Sequence, residues 1–423
     1  MVHAVKGGAA VRYLRPKLCS IFFVTSTTVF FVCALSCILV IYFDSHWLSA
    51  VFLIGCILHL LGVVTSRDHA GVSLLFSFFT LFFIGLPAYV QIDGQSFPWR
   101  NVPYDDYDIS RAYLILSLSM ITYVAVDFFV RFRSVFQLEN NDDYNKDENL
   151  YIIRWLMLIM FFCYLLIPII GLDNLLSDRS YLSNLADAGG LQLQLMYIGR
   201  SVSLLMLVYY LHIVKSGSDI AGLSWHLLAV SAVFFIYNYP GALPRFQLLG
   251  SLLAVVSIFV SFFNPYLKAI FTFFSALFLF YIFPAIKVVG YGGGVAEMIY
   301  KFSEFNVLEY LCRVDFDAFK QIVDTVIYIE NGAYRYGMNF IGAVLFFVPR
   351  AIWNSKPIDS GEIVSSDLGY FYNNVANPLH SEAYISFGYV GVVLVFTVLS
   401  YIVTKIEVLV RRGVVGVRYL VLY

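Results

Sequence analysis

The sequence predicts an all-α protein, a polytopic transmembrane helical bundle, and two observations carry that prediction. The first is composition: 60% of the residues are hydrophobic, 18% are aromatic and 13% are charged, where a soluble domain carries about 25% charge. The second is pattern. Charge-free windows of about 20 residues recur along the chain, and each is long enough to cross a hydrocarbon core as a helix that satisfies its own backbone. A net charge of -1 offers nothing to a nucleic acid. Residues 1–423 read as a single integral membrane domain.

The expected spans are Leu18–Phe43, Trp47–Val64, Gly71–Val90, Ala112–Val130, Tyr151–Ile170, Leu191–Val214, Ser224–Tyr239, Phe246–Phe263, Leu267–Val289 and Ala383–Val410. The first is of full transmembrane length with no small-residue cleavage site after it, so it reads as a span and not as a cleavable signal. The sequence ends seven residues into a new apolar run, Val417–Tyr423. It is therefore expected to stop short of a final span, giving about 10–11 in all.

Lysine and arginine bias sets the orientation. Lys6, Arg12, Arg15 and Lys17 precede the first span and put the N-terminus in the cytoplasm. Arg67, Arg131, Arg133, Lys146, Lys215 and Lys268 then fall on the same side, as do Arg411 and Arg412 if Phe340–Ile352 does not cross. That run is too short for a span and ends in Val348-Pro349-Arg350, so it reads as re-entrant or interfacial. The cysteines form no CxxC pair and no Cys/His cluster, so neither a metal site nor a disulfide framework is expected.

Four outward segments result: Gln91–Arg111, Gly171–Gly190, Asn238–Arg245 and a large loop, 290–382, too long for an idle connector. Its first half, Ala296–Glu330, places Met298, Phe302, Phe305, Leu308, Leu311, Phe316, Phe319 and Ile322 at helical spacing. This predicts an amphipathic helix lying on the membrane or capping a cavity, with Asp315 and Asp317 on its solvated face. Charge concentrates in these outer loops, not along the spans.

The segment Val348–Gly391 crowds Arg350, Lys356, Asp359, Glu362, His380 and Glu382 beside a span. Titratable groups so close to a bilayer are costly unless they line a wet cavity, which marks a site; a solvated connecting loop is the plain alternative. Arginine offers a fixed fork of donors that fits phosphate. Arg179, Arg245 and Arg350 each sit in an outward segment, with Lys356 and the intramembrane Arg200 as further cations. Snorkelling at the interface is the ordinary alternative for each. Glu382 or His380 would serve as a general base, while Glu382 equally suits a counter-ion for Arg350 or Lys356. Asp359, Glu362 and Trp353 are the sugar-contact candidates.

The run PR-x-IW-x-x-KP-x-x-SGE, from Pro349 to Glu362, followed by N-x-x-NP-x-x-SEAY-x-x-FG-x-x-G, from Asn374 to Gly391, resembles the outer-loop signature of O-antigen polymerases of the Wzy type. The turn NYP-x-x-x-PRF at Asn238–Phe246 looks like a second feature of that family, and an Arg-x10-Gly spacing occurs at Arg179–Gly190 and Arg350–Gly361. The family's histidine-X-glycine-asparagine element is missing, which shifts weight from His380 to Glu382.

The resemblance implies a GT-C-like helical fold at the periplasmic face of a bacterial inner membrane. It implies a glycosyltransferase, without metal or cofactor, that moves a growing glycan from undecaprenyl diphosphate to a new lipid-linked repeat unit. Arg179, Arg245 and Arg350, supported by Lys356 and Arg200, would hold the diphosphate, and Arg245 and Arg350 would also stabilise its developing charge. Expected partners are the lipid-linked donor and acceptor, membrane lipid, a chain-length regulator and a flippase. An O-antigen ligase would use the same chemistry on a different acceptor. A transporter would instead bury charge along several spans and show repeated halves.

Overall fold

The computed structural model describes residues 28–34, 44–100, 102–136, 146–177, 191–215, 223–239, 242–243, 245–259, 263–282, 284, 306–330, 334–346, 348, 350, 352–371 and 375–411. Among these the protein is helical, with no strand beyond one isolated bridge, Phe97 to Arg100. The helices are α1 (Ser45–Thr65), α2 (Gly71–Asp93), α3 (Asp106–Phe136), α4 (Lys146–Ile170), α5 (Leu191–Lys215), α6 (Leu223–Tyr237), α7 (Arg245–Phe259), α8 (Pro265–Leu277), α9 (Val307–Leu311), α10 (Ala318–Glu330), α11 (Met338–Val344), α12 (Ser360–Asp367) and α13 (Leu379–Arg411).

Among the described residues, five helices are long and apolar enough to cross a membrane: Ser45–Thr65, Gly71–Asp93, Asp106–Ser134, Gln192–Lys215 and Leu379–Arg411. They answer five of the expected spans. Met157–Ile170, Trp225–Tyr237 and Pro265–Tyr281 are shorter apolar helices at three more, and α7 stands at another with 15 residues. Most of the expected first span, and the run at Val417–Tyr423, lie outside the described residues.

Local chemistry explains the helix ends and distortions. Asp44 starts α1 by accepting from the Trp47 amide at 3.2 Å, and Asn264 does the same for α8 through Tyr266, each satisfying a donor that a helix start leaves open. α2 widens into a π turn at Thr80–Gly85, just before Pro87. Proline has no amide to donate and crowds the preceding turn, and the wider turn absorbs its ring. α8 runs into a second π turn, Phe278–Ile282, ahead of Pro284.

The chain forms two compact units: Met1–Leu138, Phe262–Val344 and Lys356–Val408 make unit 1, and Glu139–Ser261, Leu345–Ser355 and Leu409–Tyr423 make unit 2. In unit 1 the seam between α3 and α13 sets the frame. Tyr389 meets Arg111, Ser400 donates to the Tyr123 carbonyl, Thr404 donates to Asp127, and Glu407 receives Arg131. These partners are 278, 277, 277 and 276 residues apart. A constant offset means that α3 and α13 run parallel in fixed register. Twenty residues separate Arg111 from Arg131, about 30 Å of helix, which is the thickness of a hydrocarbon core. Between them Phe76 of α2 stacks on Tyr123 of α3 at 4.0 Å and lies 6.3 Å from Phe396 of α13, whose ring meets His380 at 4.7 Å.

In unit 2, α5 packs between α4, α6 and α7. Cys163, Met196, Val233 and Tyr237 form one apolar cluster, and Met206, Tyr210, Val230 and Phe234 the next.

Two expectations change. The segment expected as an amphipathic helix over Ala296–Glu330 is, where described, the short α9, a 3-10 turn at Val314–Phe316 and α10. α10 is not one-faced: Phe319, Ile322, Val323 and Val326 are buried, and so are Lys320, Gln321, Asp324 and Thr325. It is a core helix that pairs Lys320 with Asp324 inside unit 1, and Asp317 is only partly exposed. Charge is also not confined to loops, because Asp127, Arg131 and Glu407 are buried within α3 and α13. Arg131 and Lys268, read as loop cations, are both interior. The short run at Phe340–Ile352 takes in the last five residues of α11, which ends at Val344.

Candidate functional site

The SGE and NP-x-x-SEAY parts of the sequence signature assemble in unit 1 where α13 begins. Glu382 lies in the first turn of α13, where the positive end of the helix dipole favours a carboxylate. Its two carboxylate oxygens accept from Ser360 Oγ, at the start of α12, and Asn339 Nδ2, from α11. Asn377 Nδ2 donates to Ser360 Oγ at 3.0 Å, and Ser386 Oγ lies 2.9 Å from Asn339 Oδ1. Asp359 caps α12 by accepting from Gly361 N at 2.8 Å. Gly361 packs so tightly on Val375 that a Cβ would overlap its carbonyl oxygen. The two halves of the signature, SGE and NP-x-x-SEAY, thus interlock around one half-buried carboxylate.

The FG of the signature breaks α13. Phe387 (φ -146°, ψ 23°) and Gly388 (φ 63°, ψ -148°) leave helical geometry, and Gly388 occupies a region that only glycine enters freely. Below the break, Arg111 of α3 pairs with Glu330 at the end of α10. The same guanidinium lies 3.3 Å from the Tyr384 hydroxyl, 3.4 Å from that of Tyr389 and 3.5 Å from that of Tyr107.

A third group lies on α10. Lys320 and Asp324, one turn apart and both fully buried, pair at 2.7 Å. Asp324 Oδ1 accepts from Tyr104 at 2.5 Å and Tyr370 at 3.1 Å, with Arg100 at 3.9 Å. Lys320 also sits 3.8 Å above the Tyr370 ring, and Arg100 sits 3.9 Å above the Tyr104 ring. Burial and the Asp324 charge push the Tyr104 phenol well above its usual pKa, so it remains a donor. Burial works against the charge on Arg100, but Tyr104, Tyr370 and Asp324 more than offset it. Burial raises the Asp317 carboxyl to about 6. The Gln321 side chain is buried with neither its Nε2 nor its Oε1 bonded among the described residues.

The opposite end of the seam holds a fourth group. Asp127 receives Arg131 Nε at 2.8 Å, Thr404 Oγ1 at 2.6 Å and His69 Nε2 at 3.0 Å. Glu407 receives Ser73 N and Ser73 Oγ, both at 2.9 Å, and Arg131 Nη2 at 2.7 Å. Lys268 Nζ donates to the carbonyls of Val63, Ser66 and His69 and closes the end of α1. Burial and the Arg131 charge lower the pKa of His69.

The remaining sequence candidates are placed as follows. His380 is 3% exposed, its ring lies against Phe396, and its Nδ1 has no partner among the described residues. Lys356 and Glu362 are partly exposed in unit 1. Arg350 is exposed in a turn of unit 2, and Trp353 Nε1 donates to Ser355 Oγ at 3.1 Å. Arg200, 1% exposed, donates to the carbonyls of Tyr237 at 3.1 Å and Ala242 at 3.3 Å. It ties the end of α6 to Ala242, and a phosphate would have to displace those carbonyls. Arg245 opens α7, with its side chain outside the described residues, and Arg179 lies outside them altogether. The gathering of Arg179, Arg245 and Arg350 at one point therefore stays a proposal.

Sequence reading missed Arg111, Lys320, Asp324, Asp127 and Glu407. A signal existed for four of them. Asp127 and Glu407 sit in apolar spans, where ionisable residues deserve a named partner; Lys320 and Asp324 have i,i+4 spacing. Among the described residues no group of three or more His, Cys, Asp or Glu is arranged to hold a metal ion. Compared with family models, with curated proteins and with solved structures, the chain finds no match in any of the three.

Proposed function

We propose that the protein is a membrane glycosyltransferase that polymerises oligosaccharide repeat units carried on undecaprenyl diphosphate, at the periplasmic face of a bacterial inner membrane. The observation that supports it is the interlock around Glu382. The SGE and NP-x-x-SEAY pieces of the sequence that resembles a polymerase signature meet in space, and the Glu382 carboxylate is held there by two donors in the first turn of α13. In this reading Glu382 takes the proton from the acceptor hydroxyl as the glycosyl bond to the diphosphate breaks. It is better placed for that than His380, whose ring is packed in an aromatic contact. Asn339 and Ser360 fix the carboxylate against rotation. Arginines and Lys356 neutralise charge on the departing diphosphate.

Complementation of a deletion strain tests the reading. Loss of polymerisation by Glu382→Ala leaves lipopolysaccharide core bearing a single repeat unit; a full-length ladder from Glu382→Ala, Arg245→Ala and Arg350→Ala alike would end it. Cores with no repeat at all, beside accumulated lipid-linked polymer, would indicate a ligase.

A transporter of the lipid-linked saccharide is the second reading. The specific observation in its favour is the charge buried within α3 and α13, at Asp127, Arg131 and Glu407. A flippase defect would trap the repeat unit on the cytoplasmic leaflet, which separates it from both transferases.

A further inference from the structure

We propose that Arg111, ringed by Tyr107, Tyr384 and Tyr389, is a binding site for the phosphate groups of a lipid-linked ligand, and that Glu330 holds the site when no ligand is bound. The site deepens the function proposed above by naming where unit 1 itself grips a diphosphate.

The geometry begins in the sequence. Tyr384 and Tyr389 are five residues apart, and in a straight helix they would point about 140° away from each other. The break at Phe387–Gly388 removes that separation. The two rings come to 5.1 Å between centroids, and both hydroxyls reach one guanidinium. The kink therefore has a local product, a pair of phenols on Arg111, and a left-handed glycine maintains it.

The chemistry of the cluster suits an oxyanion. A guanidinium presents parallel N–H donors to two oxygens at once. A phenol is both donor and acceptor. Three of them lie near a cation that needs no donor; Tyr384 and Tyr389 also hydrogen-bond each other, which leaves the hydroxyl hydrogens of Tyr107 and of one of that pair for a ligand held on Arg111. The partner now on the fork is itself an oxyanion, the Glu330 carboxylate. Arg111 and Glu330 side chains are 25% and 35% exposed, so a ligand can reach the pair without unpacking the core. The buried ion pairs of unit 1 lack that access. Depth fits as well: Arg111 lies about 30 Å along α3 from Arg131, so the two arginines sit at the headgroup levels of opposite faces. Asp108, in the first turn of α3, lies within electrostatic range of Arg111 and Glu330. It adds to the repulsion that an incoming anion must overcome while Glu330 stays charged.

Calorimetric titration of the purified full chain in detergent, with inorganic pyrophosphate as the probe, tests the site. Glu330→Gln keeps the shape and removes the competing charge, and it is expected to tighten binding by about 5–20-fold. Arg111→Lys keeps charge but loses the fork, and should weaken binding at least ~10-fold. Thermal unfolding of each variant in the same detergent shows that it is folded. Binding by both variants within about twofold of the parent, or no binding by Glu330→Gln at millimolar pyrophosphate, overturns the proposal. Competition identifies the source. Displacement of pyrophosphate by a polyprenyl diphosphate but not by phosphatidylglycerol assigns the site to a carrier lipid, and the reverse assigns it to bulk anionic lipid. Neither readout needs polymerisation, so the site can fail while the enzyme reading stands, and the reverse.

Discussion

The two ends of the α3–α13 seam use similar residue types to opposite effect. At one end, Asp127, Arg131 and Glu407 are almost wholly buried and each carboxylate oxygen has a donor. At the other, Arg111 and Glu330 are partly open to solvent and the helix is broken beside them. A saturated network holds helices together. A strained, partly wet one leaves donors for something else. Function is better sought where satisfaction is incomplete than where charge is most deeply buried.

The largest effect that would break this comparison is at the saturated end. Arg131→Met strands two buried carboxylates and should cost about 3–5 kcal/mol. Arg111→Ala, at a partly exposed pair, should cost no more than about 1 kcal/mol. Denaturant titration in detergent measures both, and equal losses would erase the distinction. Next comes the kink. Gly388→Ala forces a Cβ into a backbone region reserved for glycine, at about 1–3 kcal/mol, and should also separate Tyr384 from Tyr389 and weaken pyrophosphate binding. Normal stability and binding would show that the break is incidental.

The smallest effect is a pH dependence. The Asp317 carboxyl, raised to about 6 by burial, binds a proton more tightly folded than unfolded. Its contribution is therefore full below about pH 4 and is lost as pH rises through 6. The change should be about 1–2 kcal/mol after allowance for its partial exposure, and Asp317→Asn should flatten it. A stability that instead rises between pH 4 and 6.5 in the parent, and is unchanged in the variant, would show that Asp317 is ordinarily hydrated.

The helical class was legible because charge-free windows leave no other structure for the backbone in lipid. The cluster around Glu382 was legible as a region, since prolines and glycines bracket its charges. Its partners were not: Asn339 is an unremarkable residue 43 positions earlier, and only folding brings it to the carboxylate. α10 was misread because its apolar residues recur at helical spacing on either reading. What turned its polar stripe inward was Tyr104 and Tyr370, from elsewhere in the chain. The pairing of α3 with α13 leaves no trace in periodicity, because each helix looks like an independent span.

That pairing has a bearing on biosynthesis. During synthesis α3 leaves the ribosome about 277 residues ahead of its mate, and until then Arg131 lacks the Glu407 carboxylate that receives it. Asp127, one turn before Arg131, lets α3 neutralise itself while it waits. Glu407 arrives later, and its carboxylate closes this seam when it docks on Arg131.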